Sequence, residues 1–264
     1  MSEKGKRIYC KENNIMQLAI LSVIGDRKEQ QDAFGYDIKE DSAIVTVCDG
    51  MGGHMGGRLA GQTSVNCIIE EYMKLYPNVN VPVFLRDIAD EADRRVSSLT
   101  DTKGTLLNAG STMVAVVLWG NDFYWSSVGD SRLYMLRNNE FVQVTVDHNY
   151  KEYLKEKLST GEISREEYDK EIVNGEALIN YIGVGGIQIT DHNDTPLKTE
   201  KDDIFLLMSD GLYKMLSDNE IKSIIDNFSN PNDALNLFDS EAEKKASENK
   251  LARDNMTVAI IKIK

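Results

Sequence analysis

Short apolar runs with the character of β-strands recur along the chain. They cover residues 18–24, 43–48, 111–119, 123–128, 133–136, 141–146, 204–208 and 257–263. In the run at 141–146, three valines alternate with Gln143 and Thr145, which is typical of a strand with one buried face. Several runs are close enough in sequence to form hairpins, so the pattern predicts neighbouring strands joined by short turns.

Helical spacing of apolar residues appears between the strand-like runs, at residues 58–76, 83–99 and 234–247. Asn230 and Pro231 suit the N-cap and the first position of the last of these helices. Capping-box patterns that begin at Ser164 and Ser217 predict two further helices. Because the strands come in adjacent groups rather than in strict alternation with helices, we predict an α+β sandwich of antiparallel sheets covered by helices.

No feature of the sequence marks a domain boundary. The chain has no internal repeat, no low-complexity tract and no Pro/Gly/Ser-rich linker, and its four prolines are scattered. Its 264 residues are enough to bury a substantial core, and 41% apolar with 28% charged residues is an ordinary globular composition. We therefore predict one domain over residues 1–264.

Cysteine usage and hydropathy bear on the cellular compartment. Cys10, Cys48 and Cys67 are odd in number and widely spaced, which argues against a disulfide framework or a zinc knuckle. The longest apolar stretch, residues 113–119, is far shorter than the roughly 20 residues of a membrane helix. We expect a cytoplasmic protein without a membrane partner.

The net charge is strongly negative. The chain has 43 acidic and 30 basic side chains, a formal charge of -13, and no basic patch that would attract nucleic acid. We therefore expect no nucleic-acid partner. The acidic excess has two interpretations: a solvated surface, or a surplus partly concentrated in a cation site.

Four aspartates stand at the edges of apolar runs, each next to a small or amide residue: Asp49, Asp130, Asp210 and Asp254. Any one of them alone is explained by a turn, since Asp-Gly is a common turn dipeptide. Four together, if strand pairing brings them close, would need the positive charge of divalent cations. Oxygen ligands favour magnesium or manganese, and the three histidines lack zinc-ligand spacing.

Two neighbouring segments suggest a role in phosphate chemistry. The glycine-rich stretch at 49–57 lacks the Lys-Ser/Thr ending of a nucleotide-binding P-loop, but its glycines would let the Gly50 carbonyl approach a cation. Arg27 precedes a further carboxylate, Asp32. Its guanidinium could bind phosphate oxygens bidentately, or it could be an ordinary solvated side chain.

In these features the chain resembles the metal-dependent protein phosphatases of type 2C, particularly the compact bacterial members. The resemblance runs nearly end to end and rests on seven ordered blocks, at residues 27–32, 47–54, 110–112, 128–132, 145–148, 207–211 and 253–257. It implies a four-layer α-β-β-α sandwich of two antiparallel sheets flanked by helices. It also implies two bound Mn²⁺ or Mg²⁺ ions and a weaker third.

The resemblance implies a role for each candidate residue. The implied metal-binding residues are Asp32, Asp49, Gly50, Asp130, Asp210 and Asp254. Asp49 would bridge the two ions, the Gly50 carbonyl would bind one, and Asp210 and Asp254 would complete the shell of the other. Asp32 would support the site through water, and Asp130 would share a third cation with Asp210.

The implied reaction is in-line attack of metal-activated water on a phosphomonoester, without a covalent phospho-enzyme. Arg27, Asp49 and Asp210 are the implied catalytic residues, with Arg27 holding the phosphate oxygens. The implied substrates are phosphorylated serine and threonine in proteins, and a cognate Ser/Thr kinase is a further partner by analogy.

The chain departs from the family pattern at two positions. Gln31 replaces a glutamate that supports one cation in many members, and Met51 stands where animal enzymes have a histidine proposed as general acid. His54 is not adopted as a substitute acid, because a histidine in a Gly-rich loop is more often a structural hydrogen-bonding group.

Residues 149–174 match the position of the family's flap and read as two helical pieces separated by Gly161. A solvated helical hairpin would give the same pattern. We expect this segment to influence substrate choice. Two alternatives to the phosphatase interpretation remain open: a catalytically weak or inactive phosphatase-fold binding module, and another two-metal enzyme such as a phosphodiesterase or nuclease.

Overall fold

The computed structural model describes residues 5–53, 55–228 and 230–264. Its strands are β1 (Lys6–Glu12), β2 (Met16–Val23), β3 (Ala33–Ile38), β4 (Ser42–Cys48), β5 (Gly50–Gly52), β6 (Ala109–Ser111), β7 (Met113–Trp119), β8 (Asp122–Val128), β9 (Arg132–Arg137), β10 (Glu140–Gln143), β11 (Asp191–His192), β12 (Leu197–Lys198), β13 (Ile204–Met208) and β14 (Met256–Ile263). Its α-helices are α1 (Gly56–Leu75), α2 (Val81–Ser97), α3 (Tyr150–Thr160), α4 (Arg165–Glu171), α5 (Asp210–Tyr213), α6 (Asp218–Asp226) and α7 (Pro231–Asn249).

The strands form two antiparallel sheets and a small ribbon. The first sheet has the order β1-β2-β14-β13-β9-β10, and the second has the order β11-β8-β7-β4-β3 with β12 also paired to β8. The ribbon pairs β5 with β6. Neighbouring strands in both sheets run antiparallel, as the sequence predicts.

Three hydrophobic cores divide the molecule into four layers. One core lies between the sheets, where the rings of Phe123 and Phe205 stack with centroids 3.8 Å apart. A second lies between the β3-β4-β7 face and helices α1 and α2, and a third lies between the first sheet and helices α5, α6 and α7. The predicted α-β-β-α sandwich is therefore confirmed.

Burial on both faces explains the continuous apolar runs in the sequence. In β4, Val45 and Val47 face the core between the sheets, whereas Ile44 and Cys48 face the helices. A strand that is covered on both sides has no polar face, so it loses the alternation of a half-exposed strand.

The predicted helix starts are confirmed. Asn230 caps α7 by accepting a hydrogen bond from the Asn232 amide at 3.0 Å, and Pro231 is its first residue. Ser164 and Ser217 both form capping boxes. Helices α3 and α4 are the two predicted pieces at 149–174, and Gly161 ends α3 with a φ of +75°.

The prediction for residues 141–146 is wrong in its extent. Strand β10 ends at Gln143, and Val142 and Val146 are 50% and 59% exposed. Thr145 is buried instead, with its hydroxyl accepting a hydrogen bond from the Leu133 amide at 3.0 Å. The reason is that β10 is a short edge strand of the first sheet, so its one valine, Val142, is left exposed, whereas Val144 beyond its end packs against the core between the sheets. Strands β1 and β3 were not predicted at all.

None of the helices formed by the described residues has both the length and the apolar character needed to cross a membrane.

Candidate active site

A cavity of about 630 Å³ opens at one end of the two sheets. Strand register explains why the predicted aspartates meet there. Met208 in β13 pairs with Val258 in β14, and Met256 pairs with Val23, so the residues just beyond these ends leave the sheet on the same side. The cavity wall includes Arg27, Asp49, Gly50, Asp130, Asp210 and Asp254. Asp32 lies just behind this wall and is 7% exposed.

The backbone of Asp49 is fixed independently of its carboxylate. Its amide donates to the Thr112 hydroxyl at 2.8 Å, and its carbonyl accepts from the Thr112 amide at 2.8 Å. The Thr112 hydroxyl also lies 2.6 Å from the Ser131 hydroxyl. Because these contacts hold the end of β4, the Asp49 side chain is left to face the cavity.

Gly50 occupies a position that no other residue fits. A β-carbon at Gly50 would lie 2.0 Å from the Gly57 carbonyl oxygen and 2.7 Å from the Gln31 carbonyl oxygen. The start of α1 and the segment around Gln31 therefore pack directly against the backbone that follows Asp49. The predicted need for a glycine in this loop has a steric cause.

Asp32 has one satisfied and one unsatisfied carboxylate oxygen. The Ser209 hydroxyl donates to its Oδ2 at 2.7 Å, and the same hydroxyl accepts from the Thr257 amide at 2.9 Å. The Oδ1 atom of Asp32 is buried without a hydrogen-bond partner. A buried carboxylate oxygen without a donor is costly unless water or a cation satisfies it.

Asp254 and Arg27 form an ion pair at the rim of the cavity. The next residue, Asn255, donates from its amide side chain to the Ile24 carbonyl at 2.8 Å and accepts from the Gln31 amide at 2.8 Å. Asn255 thereby ties the loop that carries Arg27 to the start of β14. The sequence places Asn255 in a motif but gives no sign of this anchoring role.

Asp210 and Asp130 lie on the opposite side of the cavity, near Lys214. The Lys214 ammonium lies 2.6 Å from Asp210 Oδ2. The Tyr213 hydroxyl donates to the Asp130 backbone carbonyl at 3.0 Å. Lys214 was not among the predicted site residues, because a lysine near the end of a helix usually indicates a solvated surface.

The carboxylates strongly perturb one another. Burial raises the pKa of Asp32 to about 7. Burial, followed by repulsion from Asp210, raises the pKa of Asp130 to about 6. Burial and then the carboxylates of Asp32 and Asp210 raise the pKa of Asp49 well above its usual range. The cluster therefore lacks positive charge, which is the condition under which a divalent cation binds favourably.

The oxygen ligands of the cavity are of the kind that the predicted metal ions prefer. Their side chains do not yet converge on a common point. No three acidic, histidine or cysteine side chains among residues 5–53, 55–228 and 230–264 converge as metal ligands. Asp254 and Asp210 are instead turned toward Arg27 and Lys214. The free Asp32 oxygen and the all-oxygen donors still suit Mg²⁺ or Mn²⁺.

Neither of the two histidines in the described part of the chain lines the cavity. His148 is buried, and its Nδ1 accepts from the Gly129 amide at 3.2 Å, which is a structural role. His192 lies in β11 and pairs its Nδ1 with the Thr190 carbonyl. His54 lies outside the described residues. Gln31 and Met51 both line the cavity wall.

Known proteins match this chain over most of its length. The family model for protein phosphatase 2C matches residues 22–251. The serine/threonine phosphatase stp of Listeria welshimeri is 29% identical over 229 residues, which cover 86% of each chain.

Solved structures show the same fold. The S. agalactiae serine/threonine phosphatase superposes with a TM-score of 0.79 at 22% identity, covering 94% of this chain and all of that one. The catalytic domain of PstP, solved in complex with two manganese ions, gives a TM-score of 0.73 at 21% identity, covering 94% of this chain and 98% of that one. The predicted resemblance is confirmed, and the chain belongs to the protein phosphatase 2C family.

Proposed function

We propose that this protein is a metal-dependent phosphatase that hydrolyses phosphoserine and phosphothreonine in proteins. The observation that carries the proposal is the cavity in which buried carboxylates of raised pKa face an arginine. Such a site attracts divalent cations and then, through the cations and Arg27, a phosphate group. Membership of the family and the name of the Listeria relative support the same activity.

We assign the metal ligands as the sequence predicts. Asp49 interacts with the other four carboxylates of the cluster, and it would hold the ions together with the Gly50 carbonyl. Asp210 and Asp254 would complete the second ion's shell, and Asp32 would support the centre from behind. Asp130, together with Asp210, is the pair to which the resemblance gives a weaker third ion, and Lys214 lies beside it.

The bound ions would lower the pKa of an attacking water. Their positive charge would offset the negative charge of the phosphoryl group. The residues of the chain position the phosphate group. Asn255 holds the loop that carries Arg27, and the guanidinium has donors beyond the one engaged by Asp254. These remaining donors are suited to two oxygens of a phosphate group.

The proposed partners are phosphorylated proteins and, more specifically, a cognate Ser/Thr kinase and its targets. The unpaired state of Cys10, Cys48 and Cys67 supports a reducing, cytoplasmic location. Helices α3 and α4 form the proposed flap. This segment would influence which protein substrates the enzyme accepts. Within the described residues α4 buries no side chain and α3 buries only Leu154, so the segment is weakly anchored.

Release of inorganic phosphate from matched peptides tests the proposed substrate class. With Mn²⁺ present, we expect turnover of phosphothreonine and phosphoserine peptides to exceed that of the matching phosphotyrosine peptide by at least about tenfold. Bis-(para-nitrophenyl) phosphate serves as the diester control. Hydrolysis of the diester without hydrolysis of any monoester would favour a phosphodiesterase, and folded protein that binds Mn²⁺ but hydrolyses nothing would favour an inactive binding module.

A further inference from the structure

Lys214 lies in the part of the cavity where a third cation would bind. It is one of two basic residues in the described cavity wall, the other being Arg27. Its ammonium is 2.6 Å from Asp210 Oδ2 and 3.5 Å from Glu176 Oε2. Glu176 also lines the cavity and follows the proposed flap. This ammonium therefore has acidic partners on two sides.

Asp130 completes the acidic surroundings of Lys214. Asp130 lines the same cavity wall as Lys214, and the Lys214 ammonium interacts electrostatically with Asp210, Asp130 and Glu176. The ammonium thus serves as a counter-charge for both Asp210 and Asp130.

Backbone and aromatic contacts position the helical turn that carries Lys214. The Lys214 amide donates to the Asp210 carbonyl at 3.0 Å, so the two residues share one helical turn. The Tyr213 ring is covered by the Arg132 guanidinium at 3.6 Å, and its hydroxyl reaches the Asp130 carbonyl. Arg132 is itself bound to Asp147 at 2.7 Å and cannot neutralise the cavity.

We propose that the Lys214 ammonium is a built-in substitute for the third cation, so that the Asp130–Asp210 pair binds no divalent ion of its own. A divalent ion shared by these carboxylates would meet a positive charge already in contact with one of them. The inference rests on the two-ion centre of the proposed function. It predicts that the wild-type chain binds two divalent ions. A variant without the Lys214 ammonium should bind three.

The number of Mn²⁺ ions bound per chain, measured by equilibrium dialysis with metal analysis, tests the inference. We expect two ions for the wild type and three for Lys214→Met, with Lys214→Gln as a second neutral variant. The matched control is Lys222→Met, which removes a lysine paired at the same i,i+4 spacing with Asp226 on α6. The control should bind two ions, and it corrects for weak binding to the acidic surface.

The possible outcomes distinguish a failure of this inference from a failure of the proposed function on which it rests. Two ions in the wild type and in both Lys214 variants would overturn the role of Lys214. Three ions in the wild type would overturn it as well, because the ammonium would then have moved aside. A wild-type count below two would overturn the two-ion centre itself, and the inference with it.

Discussion

Replacement of Asp49 by asparagine is expected to abolish turnover and, at the same time, to stabilise the metal-free protein. The change keeps the shape of the side chain but removes one negative charge from the centre of the carboxylate cluster. Loss of one preorganised charged group in an active site typically costs 10² to 10³ in rate, and a bridging ligand should cost about 10³ or more. The backbone contacts of Asp49 with Thr112 do not involve the carboxylate, so the fold should be retained.

The gain in stability follows from electrostatics. Burial and the carboxylates of Asp32, Asp210, Asp130 and Asp254 hold the pKa of Asp49 well above its usual range, so its ionised form opposes folding when no cation is present. We expect Asp49→Asn to melt at a higher temperature than the wild type in chelator and to lose the stabilisation by Mn²⁺. Melting curves with and without Mn²⁺, together with kcat/KM for para-nitrophenyl phosphate, measure both effects. Activity within tenfold of the wild type would contradict the assignment of Asp49.

The stability that the protonated carboxyls of Asp32 and Asp130 give the chelated protein is expected to fall as the pH rises from about 4 to about 7. The folded-state pKa of Asp130 is about 6 and that of Asp32 is about 7, both above the ordinary value of about 3.9 in an unfolded chain. The folded protein therefore holds these protons more tightly than the unfolded chain does. Their contribution to stability is fully present below pH ~4 and is lost as the pH rises through 6 and 7.

Asp130→Asn isolates this effect. The shift at Asp130 corresponds to about 3 kcal/mol, so the variant should gain up to that amount over the wild type at pH 7.5 and little at pH 4. Chemical unfolding in chelator at several pH values measures the difference. Asp90→Asn, at an exposed position on α2, is the control, and its offset from the wild type should not vary in the same way. A difference between Asp130→Asn and wild type that is constant with pH would contradict the proposed repulsion.

The sequence predicts that the acidic residues lie at strand ends. It does not predict the residues that contact them in the folded protein. Asp49, Asp130, Asp210 and Asp254 each stand at the edge of an apolar run, and an apolar run of that length identifies a buried strand. Their convergence depends on strand register, which is a long-range property that no local pattern contains. The resemblance to a family supplied that convergence in advance.

The unpredicted parts have local physical causes. Strand β1 has the sequence KRIYCKE and lies at a sheet edge. Because most of its side chains are polar, it lacks the apolar run that identifies the buried strands. Strand β3 contains glycine and aspartate, which are uncommon in strands. Ser209 acts through tertiary contacts with Asp32 and Thr257, and Lys214 contacts Asp210 one helical turn away, but neither is an unusual residue in its local sequence. The extent of a single domain over residues 1–264 stays a prediction.

Hydrolysis of para-nitrophenyl phosphate with Mn²⁺, with Mg²⁺ and with chelator, for the wild type beside Asp210→Ala, tests the central claim most directly. The predicted result is metal-dependent turnover that chelator abolishes and that Asp210→Ala lacks, while circular dichroism shows that the variant is folded. Turnover that persists in chelator, or that survives the loss of Asp210, would contradict catalysis at this carboxylate cluster.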